Sequence, residues 1–324
     1  MKTLTDITRD HEYVDKLDEL VLGDARDEEE RGQPSGTAIE APIYDKRAFL
    51  KEVYLSEARY DRLCSLLLRK KNVILAGPPG VGKTFAAKRL AYSIIGAKLP
   101  RRVQVVQFHQ SYSYEDFMMG YRPTESGGFT LAEGPFYRFC NTARADDPER
   151  AYFFIIDEIN RGNISKFFGE LLMLVEADKR DHELRLLYKN ETFSVPPNVH
   201  IIGMMNTADR SLAVLDYALR RRFGFFEMRP GFDSDGFKAW QSEAGSPTLD
   251  DLVARIIELN KTIADDPALG HGFEIGHSFL SRPRDVSVDD NWLVSVVEDE
   301  LVPLLQEYWF DVQDWSARLR AALE

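Results

Sequence analysis

An α/β fold, with a parallel sheet sandwiched by helices and a helical unit at the C-terminus, is predicted for this 324-residue chain. Three observations predict it. Val73 to Ala76 and Tyr152 to Ile156 are unbroken apolar runs and Val199 to Met205 is apolar but for His200, as expected of strands buried on both faces. The first run leads through a glycine loop into a helical pattern, the strand-to-helix unit of parallel sheets. Beyond Pro230 the strand patterns give way to helical ones.

Taken in order, residues 1–45 are expected to form a flexible, acidic extension. Twelve acids face five bases in the first forty positions, and Asp24 to Pro34 is a charge-rich run ending in Gly and Pro. A short helix over Leu4 to Leu22 is the one ordered element foreseen there. The α/β core is expected over 46–229 and the helical unit over 230–324. A helix at Leu55 to Arg69 leads into the first strand. Next comes Gly77-Pro78-Pro79-Gly80-Val81-Gly82-Lys83-Thr84, which fits G-x-x-x-x-G-K-[ST] without a gap. Such a loop aims backbone N–H groups and a helix dipole at a phosphate. Lys83 is expected to reach the β- and γ-phosphates, and Thr84 to ligate Mg²⁺. The helix after it runs from Thr84 to Ile95 and stops at Gly96.

Val103 to Phe108 reads as a second strand, followed by the polar aromatic loop His109 to Tyr114, a surface segment or a contributor to the site. The strand Tyr152 to Ile156 ends in Asp157-Glu158, at the strand end where open parallel sheets carry their chemistry. Asp157 is expected to hold Mg²⁺ through water, and Glu158 to activate the attacking water. Ile164 to Ala177 has a broad apolar face and predicts a core helix. Arg161 and Lys166 near its start face either solvent, a pore or a neighbouring subunit. Leu184 to Val195 predicts a hairpin.

Met205-Asn206-Thr207-Ala208-Asp209-Arg210-Ser211 ends the third strand. Asn206 is either a γ-phosphate sensor (sensor 1) or the start of an N-x-x-D element that selects guanine. The second reading lacks the lysine such elements carry, and the strand-end location suits the first. Asp216 to Phe223 predicts a helix closing on Arg220, Arg221 and Arg222. Three such arginines are either a solvated helix end or, in a ring-forming protein of this kind, fingers for a neighbour's site, with Arg221 and Arg222 ahead of Arg220. Helices are expected at Asp233 to Glu243, Leu249 to Ile263 and Asn291 to Arg320.

A net charge of −12 and a pI near 5.1 argue against broad DNA wrapping, which needs clustered Lys and Arg. Cys64 and Cys140 show no metal spacing and read as reduced core residues of a cytoplasmic protein. No apolar run is long enough for a membrane span.

These elements, in this order, resemble the AAA+ superfamily and, within it, the McrB-like motor subunits of modification-dependent restriction systems. The resemblance rests on GPPGVGKTFAAKRLAYSIIG (77–96), VQFHQSYSYEDFMMGYRP (106–123), FIIDEINRGNISKFFGELLMLVEADKR (154–180), IIGMMNTADRSLAVLDYALRRRF (201–223) and IGHSFL (275–280). It implies an AAA+ P-loop NTPase with a helical lid, assembled as a hexameric homo-oligomer that prefers GTP to ATP and uses Mg²⁺. It further implies an McrC-like nuclease partner and action on DNA through that partner or the ring's pore. Asn206 to Arg210 would form the family's signature loop. In many relatives a lid arginine, sensor 2, stands near Gly276-His277-Ser278. No arginine does here, so His277 and Ser278 either buttress the site or fill the core. The family's separate N-terminal DNA-recognition domain has no counterpart in the residues ahead of about 45, so target recognition is expected either from a longer form of this chain or from another protein. An ATP-driven MoxR-like chaperone and a nucleotide-gated scaffold are the competing function classes.

Overall fold

The computed structural model describes residues 41–124, 127–161, 167–209, 217–281, 288–309 and 313–321. The expectations for residues 1–40, Lys166, Arg210 and Ser211 lie outside the described residues.

Five strands form the central sheet: β1 (Asn72–Gly77), β2 (Val103–Gln107), β3 (Tyr152–Asp157), β4 (Val199–Asn206) and β5 (Gly224–Glu227). Their order is β5-β1-β4-β3-β2, and every pairing is parallel. Side chains alternate faces along a strand, so the continuous apolar runs supply two cores at once. Val73, Leu75, Phe153, Ile155, Ile202 and Met204 pack with helices α1 (Lys46–Glu52), α2 (Glu57–Lys70) and α3 (Lys83–Ile95). Ile74, Ala76, Phe154, Ile156 and Ile201 face the opposite way, against α4 (Pro135–Ala145), Phe167 and Phe168. The ordered body includes residues ahead of α1, because Ile43–Tyr44 pairs antiparallel with Gly96–Ala97 and Tyr44 is buried.

Among the described residues two hairpins stand outside the sheet. The one foreseen near residue 190 pairs Leu184–Arg185 with Thr192–Phe193. The other, Met119–Pro123 with Phe129–Glu133, was not signalled by periodicity, and it exposes Tyr121 and Phe129.

The helix expected over 164–177 is corrected. After Phe168 the chain turns through a 3₁₀ segment, Gly169–Leu172, and Gly169 takes φ +50°, outside the right-handed helical region. The apolar pattern reported burial correctly, since Phe167, Phe168, Leu171, Leu174 and Val175 are all inaccessible.

The C-terminal helices have their own core. Beyond α5 (Tyr217–Arg222) and β5 come α6 (Asp235–Ala244), α7 (Pro247–Asp265), α8 (Asp290–Ser295), α9 (Val302–Tyr308) and α10 (Gln313–Ala321). Phe237, Leu252, Ile256, Leu259, Leu293, Val297, Leu301 and Leu305 form one cluster. The expected single helix over 291–320 is instead divided. A π-helical turn, Val296–Leu301, joins α8 to α9. Pro303 sits in the first turn of α9 and has no N–H to continue the α-helical ladder. Among the described residues no helix is long and apolar enough to cross a membrane.

Candidate nucleotide-binding site

Three neighbouring strands end at one edge of the sheet, β1 and β4 level and β3 two residues short of them. Asn206 is in register with Gly77, and Gly203 with Ile156, so the loops after β1, β3 and β4 emerge side by side. The Ile159 N–H donates to the Met204 carbonyl (3.0 Å) and the Thr207 N–H to the Gly77 carbonyl (3.1 Å), which ties the three exits together.

The loop from Gly77 to Thr84 curls through left-handed conformations at Gly80 (φ +74°) and Gly82 (φ +68°), which a side chain would strain. Gly82 is also the N-cap of α3, a 13-residue helix whose first N–H groups and dipole therefore face the loop. Pro78 and Pro79 precede the turn, and Val81 is buried among the apolar residues beneath it, so Val81 has only its backbone to offer a phosphate. Lys83 Nζ donates to the carbonyls of Gly77 (2.9 Å) and Pro78 (2.8 Å). Burial pushes its pKa down to about 8, against the opposing pull of the Glu158 and Asp157 carboxylates.

Thr84 Oγ1 lies 3.5 Å from Asp157 Oδ2. A hydroxyl and a carboxylate this close can serve one Mg²⁺, which takes hard oxygen ligands at about 2.0–2.1 Å and keeps several waters. Among the described residues no group of three or more His, Cys, Asp or Glu side chains could hold a metal ion. The hydroxyl and carboxylate oxygens of Thr84 and Asp157 fit a cation completed by substrate oxygens and water.

Glu158 follows with φ +53°, a left-handed conformation unusual outside glycine and costing roughly 1–2 kcal/mol. Its N–H donates to Asp157 Oδ1 (3.0 Å), and its carboxylate accepts from Arg161 Nε (3.2 Å). Arg161 Nη2 also lies 3.8 Å from Asp209 Oδ2, so one guanidinium spans the loops after β3 and β4. The sequence had offered Arg161 to solvent, a pore or a neighbour; the fold gives it Glu158. Only the conformation of the turn after β3 shows that pairing. Asn206 Oδ1 accepts from the Ala208 N–H (3.2 Å), an Asx turn that holds its amide at the strand end.

The C-terminal helices return to this site through residues 272–279. The Gly276 N–H donates to the Pro79 carbonyl (3.1 Å), and the Ser278 N–H to the Gly80 carbonyl (2.7 Å). Thr207 Oγ1 donates to the Gly272 carbonyl (2.8 Å). A Cβ on Gly276 would fall 1.9 Å from the Gly80 carbonyl carbon and 2.4 Å from the Val81 nitrogen, both backbone atoms. Gly276→Ala is therefore expected to push the lid off the loop, lowering stability by about 1–3 kcal/mol. Nucleotide affinity should fall with it; parallel melting and nucleotide titration check both effects. Sequence reasoning missed this docking, since no local signal joins Gly276 to Pro79.

The three arginines that end α5 part company. Arg222 Nε forms an ion pair with Glu176 Oε1 at 3.0 Å, both side chains being less than one-fifth exposed, and its carbonyl accepts from Asn72. Arg220 and Arg221 are exposed. Tyr112 packs tilted against Phe108 and edge-on against His109, so the 109–114 loop is anchored by packing. A groove of about 900 Å³ lies elsewhere, lined by Tyr54, Arg229, Lys261 and His271 among others, with no phosphate-loop residue. The candidate site is placed at the strand ends, where the titratable and phosphate-facing groups converge.

Residues 72–223 match the family model of an AAA domain (dynein-related subfamily), and residues 251–317 that of the McrB alpha-helical lid domain. The chain is 46% identical over 304 residues to the type IV methyl-directed restriction enzyme EcoKMcrB subunit of Escherichia coli (strain K12), covering 88% of this chain and 66% of that one. It is 27% identical over 193 residues to the type II restriction enzyme BsuMI component YdiS of Bacillus subtilis (strain 168), covering 48% of this chain and 56% of that one. The chain thus spans less than two thirds of the length of either relative. An AAA domain whose phosphate loop is clasped by a lid of the McrB type places this chain in the family of McrB-like AAA proteins.

Proposed function

We propose that this chain hydrolyses a nucleoside triphosphate, GTP in preference to ATP, in a hexameric ring of identical subunits, and that the cycle drives an McrC-like nuclease on DNA in a restriction system.

 This reading rests on one observation above all: Lys83, Thr84, Asp157, Glu158 and Asn206 emerge from three adjacent strand ends, with Thr84 and Asp157 oxygens 3.5 Å apart. The sequence likeness to restriction-enzyme subunits supports the setting, and GTP, DNA and a partner nuclease are what the resemblance of the motifs to McrB-like motors implies.

In this reading Gly77, Pro78, Pro79, Gly80, Val81 and Gly82 offer the phosphates their backbone, and Lys83 leaves its two carbonyls for the β- and γ-oxygens. Mg²⁺, held by Thr84 and by Asp157 through water, would neutralise charge that develops on the phosphates. Glu158 takes the proton of the attacking water, and Arg161 holds its carboxylate in place. Asn206 keeps its amide N–H₂ for the γ-phosphate or the water, since its oxygen is engaged by Ala208. Asp209 competes with Glu158 for Arg161, which makes the signature loop a means of adjusting the base.

A pH dependence follows from Lys83. Its pKa of about 8 in the free site should rise when a phosphate arrives, so binding takes up a proton above that pH. Affinity is expected to be level below about pH 8 and to fall above it, by at most about tenfold per pH unit. The sign for stability is the opposite. A lysine whose folded pKa lies below its unfolded value penalises the folded state at neutral pH, so Lys83→Met should hold or raise the melting temperature of the ligand-free protein while abolishing binding. Titrations of GTP and ATP from pH 7 to 9.5 test the proposal; binding that survives Lys83→Met would contradict it.

A further inference from the structure

His277 has two ring nitrogens with different surroundings. Nδ1 accepts a hydrogen bond from the Gly231 N–H (2.8 Å). A neutral imidazole has one acceptor and one donor nitrogen, so this bond assigns the proton to Nε2. Burial lowers the pKa of the ring to about 4, which keeps it neutral under ordinary conditions. Nε2 lies on the side of the phosphate loop: a Cβ on Gly82 would be 3.9 Å from it.

The position of that N–H is fixed from several directions. The flanking Gly276 and Ser278 are bonded to Pro79 and Gly80 of the loop. Tyr54 lies edge-on to the ring at 5.1 Å, and Phe232 and Phe237 at 6.3 Å each. An apolar side chain could fill the space among these rings. The imidazole also turns a donor toward the N-cap of α3, where backbone N–H groups already converge.

We infer that His277 is a nucleotide-binding residue whose Nε2–H donates to a phosphate oxygen near Gly82, one carried by nucleoside di- and triphosphates alike. The inference rests on the nucleotide-binding reading of the loop. It assigns His277 a neutral donor's part, which supplies direction without adding positive charge.

The test compares binding of GTP, GDP and inorganic pyrophosphate to the wild-type chain, His277→Asn and His277→Gln. Asparagine can still accept from Gly231 but carries no donor as far as the loop; glutamine can reach it. His277→Asn is expected to weaken GTP and GDP by a similar factor, about tenfold, and His277→Gln to recover most of that loss. Weakening of pyrophosphate as well would place the acceptor on the phosphates. Weakening confined to the nucleotides would move it to the sugar or base and overturn the phosphate assignment. Unchanged affinity in His277→Asn, or equal loss in both variants, would overturn the donor role. Nitrogen-15 NMR of the wild-type ring gives a readout independent of folding in the variants. The expected result is the Nε2–H tautomer with a resonance that shifts on adding GDP; an Nδ1–H tautomer or an unmoved signal would count against the inference. A wild-type chain that bound none of the three ligands would overturn the reading of the loop itself.

Discussion

Glu158→Gln is expected to lower nucleotide turnover by about 10²–10⁴-fold while leaving nucleotide affinity within a few-fold of wild type. Glutamine keeps the length of the side chain and an oxygen for Arg161, so the turn after β3 and its bond across to Arg161 can persist. What it loses is the capacity to accept a proton from water. Binding groups on the other loops, Lys83 and Thr84 among them, are untouched. Single-turnover hydrolysis and equilibrium binding on the same preparation separate the two effects. Equal turnover in the variant would remove Glu158 from its proposed role. The left-handed backbone at Glu158 supports that role, because strained conformations at a strand end persist only where the surrounding structure holds them.

Arg221→Ala and Arg222→Ala should fail in different ways. Arg222 is engaged inside its own chain by Glu176, so its loss should cost about 1–3 kcal/mol of stability, seen in thermal melting. Arg221 is exposed at the end of α5 and is the candidate to enter a neighbour's site. A finger of that kind contributes about 10³–10⁵ in rate, so Arg221→Ala should nearly abolish turnover in assembled rings without changing the melting temperature. Mixing provides the decisive version. Arg221→Ala subunits retain Glu158, and Glu158→Gln subunits retain Arg221. If the arginine acts across the interface, mixed rings regain activity that neither variant has alone. A mixture as inactive as its parts would assign Arg221 no such role.

The glycine loop was legible because its pattern is contiguous: eight neighbouring residues carry the turn, the lysine and the hydroxyl proposed to hold Mg²⁺. The strands were legible because a parallel sheet covered on both faces demands unbroken apolar runs, and Asp157-Glu158 stood out as charges at the end of one. Contacts between distant segments were not. Gly276 reads as an ordinary glycine until its missing Cβ is found against the Gly80 carbonyl. Three adjacent arginines look alike in sequence, and burial beside Glu176 is what separates Arg222 from the exposed pair. Arg161 was ambiguous because its partner depends on a left-handed turn at Glu158 that residue type does not announce. Helical periodicity over 164–177 reported burial but not conformation, since Gly169 interrupts the helix while its neighbours keep their place in the core. In the same way, the apolar pattern over 291–320 ran through Pro303 without showing the π-helical turn ahead of it.

The central claim is a hydrolytic site completed by a neighbouring copy and preferring GTP. Turnover per chain, measured for GTP and ATP over a range of protein concentrations with the mass of the assembly followed in parallel, tests it most directly. The account predicts little turnover from dilute single chains, a rise that tracks the formation of rings, and faster turnover of GTP than of ATP. Concentration-independent hydrolysis by the single chain, or a clear preference for ATP, would contradict it.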